Sequence, residues 1–221
     1  MLDEALFPRP ILTIDIILLT LAAEGLRVGL IKRESPPFAG KLALIGGYVH
    51  VQEDGDAEAA ARRILAEKAG LKNAFMEQLQ TFSGATRDPR GWSATIAYFA
   101  LTPAAEPVSA QELTFRNVDA TGPLAFDHAE ILRAALARLR GKGSYSTLPA
   151  FLLPPTFTLS QLHDVYERAM AEKLNESAFR RKISELDILE RLEGEYSRAT
   201  ARPAALYRLK HPAIQAFERR I

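Results

Sequence analysis

Cysteine is absent from the 221-residue chain. Its absence excludes a disulfide framework and any thiolate metal site, and it agrees with a reducing cytosol. Long apolar runs are missing too. The longest, Ile11 to Ala23, is interrupted by Thr13, Asp15 and Thr20, which leaves it too short and too polar to span a bilayer. The opening MLDEALFPRP is acidic and proline-broken, with no basic stretch ahead of an apolar core, so no secretory leader is expected. An excess of one charge is also lacking. Formal net charge is +1, and a split near Phe157 gives 16 basic and 17 acidic residues before it, 12 and 10 after it. Bulk charge therefore does not point to nucleic acid, and any such argument rests on local placement. What is present, 48% hydrophobic and 25% charged residues, is ordinary globular composition, and the length suits one medium domain plus a small one.

The first half reads as strands around a helix. Ile11–Leu19 and Val28–Ile31 are β-branched and aliphatic, separated by a hairpin signal at Ala23-Glu24-Gly25. Leu42–Ile45 is a short apolar run ending at Gly46-Gly47. From Ala57 to Ala69 the pattern turns to alanine-rich helix, with Gly70 as its closing left-handed residue. Met76–Phe82, Ser93–Leu101 and Leu113–Val118 read as further strands. Asp127 and Glu130 have capping-box spacing ahead of Ile131, Ala135 and Leu139, an amphipathic helix over Asp127–Leu139.

The turn-rich stretch 143–156 separates a domain over 1–142 from one over 157–221. In the latter, Thr158 and Gln161 form a capping box for a helix that carries Leu159, Leu162, Val165, Tyr166 and Ala169 on one side. A turn at Lys173-Leu-Asn-Glu leads to a second helix with Phe179, Ile183 and Leu186 facing one way. Ile188–Leu192, a turn at Glu193-Gly194 and a strand over Ala205–Leu209 complete the order of a winged helix-turn-helix.

Gly46-Gly47 is followed by Arg62-Arg63-Ile64-Leu65-Ala66-Glu67-Lys68-Ala69-Gly70-Leu71. This resembles the signature of Nudix hydrolases, G-x5-E-x7-R-E-U-x-E-E-x-G-U with U aliphatic. The glycines let backbone approach phosphate, and glutamates on one helix face hold the divalent cations that polarise a pyrophosphate and activate water. Arg63, Leu65, Glu67, Gly70 and Leu71 stand in register, and Gly47 and Glu53 keep the first spacing. Ile64 and Lys68 replace two of the glutamates, and two extra residues separate Glu53 from Arg63. An aliphatic side chain cannot ligate a hard cation and an ammonium repels one. The expectation is a degenerate Nudix helix without catalysis or required cofactor, with Glu53 and Glu67 as vestiges of a metal site. The alternative is a hydrolase with a rearranged site at Glu53, Glu58 and Glu67.

A second cluster, Arg87-Asp88-Pro89-Arg90-Gly91-Trp92-Ser93, precedes a strand. Its guanidiniums suit phosphate oxygens, Asp88 suits ribose hydroxyls and Trp92 can stack, although Trp92 taken alone reads as core and an Asp–Arg pair can close on itself. Joined to the degenerate box and the C-terminal winged helix, R-D-P-R-G-W-S is similar to the Nudix-related transcriptional regulators of NAD metabolism. The resemblance implies an α+β protein, a Nudix-like α/β/α sandwich with a mixed sheet followed by a winged helix. It also implies a homodimeric repressor on a palindromic double-stranded operator, with ADP-ribose or a related nucleotide as effector. Arg33, Gly46, Gly47, Arg87, Asp88, Arg90 and Trp92 are the effector-binding candidates. For DNA the candidates are Asn175, Ser177, Arg180, Arg181 and Lys182, with Arg198 and Arg202 in the wing. Two other readings stand beside these, Asn175 as a helix cap and the winged helix as a protein-contact module.

Overall fold

The structure, a computed structural model, describes residues 9–104, 113–197 and 203–221. Among them, 9–18, 28–100 and 113–135 form one compact unit, and 19–27, 101–104 and the described residues from 136 onward form a second. No helix of the described residues is long and apolar enough to cross a membrane.

The first unit is built on a seven-stranded sheet. Its path runs β3 (Leu42–Ala43), β2 (Gly25–Lys32), β1 (Ile11–Ala22), β6 (Ser93–Leu101), β5 (Phe75–Gly84), with β4 (Ile45–Tyr48) paired to β1 and β7 (Leu113–Asn117) to β2. Residues 14–20 of β1 are buried without a break. A central strand covered on both faces has no solvent side, which is why the sequence there is a continuous run rather than an alternation. Helix α1 (Ala57–Ala69) starts on Asp56, whose carboxylate accepts from Ala59 N–H, and ends on Gly70 at φ 72°. Its buried Ala60, Ala61, Ile64, Leu65 and Ala69 pack with Ile14, Ile16, Leu18, Ile45 and Tyr98.

Three local expectations change. Leu42–Ile45 is two strands, because Leu44 N–H leaves the ladder and donates to His128 Nδ1 at 2.9 Å. Gly46 and Gly47 lie inside β4, opposite Asp15 and Ile14. Asp127 does not cap α2 (His128–Gly143) through its side chain; both carboxylate oxygens lie on Arg87, and only its carbonyl receives the N–H of Glu130.

In the second unit α2 continues to Gly143, and a 3₁₀ helix over Leu148–Leu152 buries Leu148, Pro149, Ala150 and Leu152. The stretch 143–156 thus holds a packed turn at its centre, with Pro149 in its first turn. Helix α3 (Leu159–Met170) carries the complete Thr158–Gln161 capping box, and α4 (Glu176–Leu186) follows. The two pack through Phe179, set edge-on to Tyr166 at 5.3 Å and to His163 at 5.1 Å. Tyr166 is fully buried and its hydroxyl donates to Ser146 O at 2.7 Å. Strands β8 (Leu189–Ser197) and β9 (Ala204–Leu209) pair antiparallel. The turn expected at Glu193-Gly194 is instead a bulge within β8. Register slips between Arg191 and Tyr196, and Gly194 adopts φ 76° without reversing the chain.

Candidate functional site

A cavity of about 320 Å³ opens in the first unit, against β1, β4 and the start of α2. Six of the seven effector-binding candidates line it: Arg33, Gly46, Gly47, Arg87, Asp88 and Arg90. Trp92 does not. It is 51% exposed, so neither stacking inside the cavity nor core packing describes it.

The floor is a buried polar network. Asp15, 6% exposed, faces Arg87 Nη2 from Oδ2 at 3.6 Å and His128 Nε2 from Oδ1 at 3.5 Å. Because His128 Nδ1 accepts from Leu44, its ring proton sits on Nε2 and points to Asp15. Burial lowers the pKa of His128 and outweighs the opposing pull of Asp15, so the ring is neutral at pH 7. Arg87 donates from Nε and Nη2 to Asp127, both at 2.9 Å, and from Nη1 to Ser93 Oγ at 3.2 Å. The self-closing Asp–Arg pair considered for this segment is Arg90 with Asp88, whereas Arg87 pairs outside the segment, with Asp127. Arg90 forks onto Asp88 with a shortest contact of 2.7 Å, and its hydrogen bonds hold that carboxyl below the usual range.

The walls mix cations with rings. The Arg33 guanidinium lies 4.8 Å over Phe126, and Arg90 lies 5.9 Å from the same ring and 5.8 Å from Tyr48, whose hydroxyl it also meets at 2.5 Å. Such a wall suits a ligand with phosphates and a flat base or sugar ring. Asp15, Tyr48, Phe126 and His128 escaped sequence reasoning. For Asp15 the signal was available, a carboxylate inside a β-branched run. For Phe126 and His128 it was not, since Phe-Asp-His ahead of a helix looks like an ordinary helix start.

The helix face that would carry a metal in a hydrolase is otherwise occupied. Ile64 is 1% exposed, and a Cβ placed on Gly47 would lie 3.1 Å from its Cδ1. Lys68 Nζ donates to Gly46 O at 2.5 Å and lines the cavity. Glu53 pairs with His50, Glu58 with Arg62 and Glu67 with Arg63, and none of the three lines the cavity. Arg63 also forks onto Asp54 with two contacts of 2.8 Å, tying the preceding loop to α1. These residues do not fit a divalent cation.

In the second unit, Asn175 Oδ1 accepts from Ala178 N–H at 2.9 Å, the geometry of a helix cap. Ser177 is exposed at the start of α4 and Arg181 is 77% exposed on the side chain. Arg180 donates to Glu176 at 2.7 Å and to Ser160 Oγ at 3.2 Å, while Lys182 is half-buried. Arg198 and Arg202 fall outside the described residues. A hollow of about 330 Å³ beside α4 brings Lys173, Asn175, Arg181 and Lys182 together with Arg220. Sequence reasoning did not name Arg220; its only signal was the Arg219-Arg220 doublet far along the chain.

Residues 12–139 match the NUDIX domain family and residues 149–209 the NrtR DNA-binding winged helix domain. A Nudix-like domain followed by a winged helix is the class that the fold and cavity define. Over 96% of its length the chain is 36% identical to the ADPR responsive transcriptional repressor NtrR of Acinetobacter baylyi, 86% of which is covered. It is also similar to Shewanella oneidensis NrtR complexed with a 27mer DNA, at 33% identity and a TM-score of 0.86 over 95% of this chain and 99% of that one. The NUDIX domain of the same Shewanella protein complexed with ADP ribose matches at 34% identity and a TM-score of 0.56, covering 62% of this chain and 93% of that one. The chain belongs to the NrtR family of NUDIX-domain transcriptional regulators.

Proposed function

We propose that this protein is a transcriptional repressor whose Nudix-like domain binds ADP-ribose and whose winged helix binds operator DNA. The observation that carries the reading is a cavity walled by arginines and aromatic rings on the same chain as a winged helix. A relative over nearly the whole length is named as an ADPR responsive repressor. The domain acts as a sensor without metal or cofactor and without hydrolysis, because the carboxylates that a metal-assisted mechanism needs are paired elsewhere. Arg33, Gly46, Gly47, Arg87, Asp88 and Arg90 form the effector site, with Phe126 and Tyr48 added. For DNA the reading takes Ser177, Arg180, Arg181, Lys182, Arg198, Arg202 and Arg220 as contacts, with Asn175 as the cap that sets the start of α4. The protein acts in the bacterial cytoplasm as a homodimer on a palindromic operator, since a two-fold protein reads a two-fold site best. Its targets are genes of NAD metabolism.

Fluorescence anisotropy on DNA from upstream of the protein's own gene and its neighbours, with and without ADP-ribose, tests this directly. Tight, salt-sensitive binding that ADP-ribose weakens or strengthens supports both halves. Binding indifferent to ADP-ribose removes the effector assignment. Magnesium-dependent release of AMP from ADP-ribose would replace the sensor with a hydrolase.

A further inference from the structure

Lys68 occupies a register position where the Nudix pattern carries a metal-binding glutamate, and its half-buried side chain lines the cavity. We propose that Lys68 serves as a built-in cation for a pyrophosphate. It would supply the positive charge that a bound divalent ion brings in a hydrolase, so that effector binding is independent of metal. The inference rests on the reading of this cavity as the ADP-ribose site.

Three features support it. First, the ammonium is placed by the fold. Lys68 is in the last turn of α1, where the helix C-terminus favours a cation, and its Nζ is anchored on Gly46 O at 2.5 Å. Gly46 is held close to the floor, since a Cβ there would sit 2.4 Å from Asp15 Oδ1 and 2.9 Å from Ile14 O. The glycine strand and the lysine therefore present backbone and charge to the same volume. Second, the charge is of the right sign. The cavity lining holds four cations, Arg33, Lys68, Arg87 and Arg90, against the carboxylates Asp15 and Asp88, and Asp127 offsets part of the charge of Arg87 from beside it. A pyrophosphate diester carries two negative charges. Third, the neighbouring metal position is closed by Ile64, packed against Gly47. A cation brought in by the ligand would meet an ammonium, while the carboxylates of the lining, Asp15 and Asp88, already face Arg87 and Arg90.

The test is isothermal titration of ADP-ribose into the full chain, in EDTA and in excess Mg²⁺, for the wild type, Lys68→Met and Lys68→Glu. Wild-type affinity is expected to agree within about twofold in the two buffers. Lys68→Met, which keeps the stem and removes the charge, is expected to bind about tenfold more weakly. Lys68→Glu should be weaker again in EDTA, by about another tenfold, because the carboxylate repels the phosphates. A fall in affinity that tracks charge in this order is not what a merely structural anchor on Gly46 produces. Thermal melting of each variant establishes that it is folded. Three outcomes overturn the proposal: a wild type that needs Mg²⁺ to bind, a Lys68→Met variant that binds like wild type, or two variants equally impaired. A wild type that binds no ADP-ribose in either buffer removes the parent reading, and the inference with it.

Discussion

Arg87 and Arg33 line the same cavity but are held differently, and their substitution has different consequences. Arg87 is 9% exposed on its side chain and neutralises Asp127 and Asp15 at once. Removing it leaves two shielded carboxylates without their cation, which costs about 3 kcal/mol or more. Arg87→Ala is therefore expected to lower the urea midpoint clearly, and any loss of effector response in it is mixed with lost stability. Arg33 donates to the carbonyls of Pro37 and Ser35 and lies over the Phe126 ring, with no carboxylate among these contacts. Arg33→Ala is expected to stay within about 1 kcal/mol of wild-type stability and to bind ADP-ribose about tenfold more weakly. Calorimetry beside a urea titration separates the two effects, and an Arg33→Ala protein that binds normally would remove Arg33 from the site.

Among the elements, the loop before α1 is tied to that helix by the Asp54–Arg63 ion pair. Hydrogen bonds from Arg63 lower the Asp54 pKa from its ordinary value to about 2. The folded pKa is depressed, so the pair's contribution is fully present above the unfolded value near 3.8 and is lost as pH falls through about 2. Asp54→Asn is expected to be less stable than wild type at pH 7, with the difference closing between about pH 4 and pH 2. A gap that persists unchanged at pH 2 would mean that the pair is not what holds the loop. At α4, Arg220→Ala is expected to reduce the salt dependence of DNA binding by about one phosphate contact, seen as a shallower slope of log affinity against log salt. An unchanged slope would place Arg220 outside the interface. Strands β1, β2, β5, β6 and β7 and helices α1, α3 and α4 were legible because local signals set them: Thr158 with Gln161, Gly70 after Ala69, the unbroken run of β1. The cavity was only half legible. Its arginines announce themselves in a Pro/Gly turn, whereas Asp127, His128 and Phe126 acquire their roles through distant partners, Arg87, Leu44 and Arg33. The bulge at Gly194 was misread for the same reason, since a glycine with positive φ marks a turn or a bulge alike and only the partner strand decides.

At the scale of the molecule, the proposed homodimer makes its own prediction. Two winged helices joined through one dimer engage the second half-site at high effective concentration. Cutting a palindromic operator to a single half-site should therefore weaken binding by about 100-fold or more, as read by anisotropy at fixed salt. A loss of only a few-fold would indicate a monomeric reader. The molecule as a whole also sets how readily a metal-binding carboxylate could be introduced at Ile64. Ile64 is sealed between α1 and the glycine strand, and its burial stabilises the fold by about 2 kcal/mol. Restoring a glutamate there would force a carboxylate into an apolar seam, at a cost of several kcal/mol, before any metal could reward it. Lys68 would have to change as well, and neither change helps without the other. Packing thus sets a threshold: changes that adjust what the pocket holds leave this seam intact, while any that would turn the proposed sensor toward hydrolysis begin with an unstable protein.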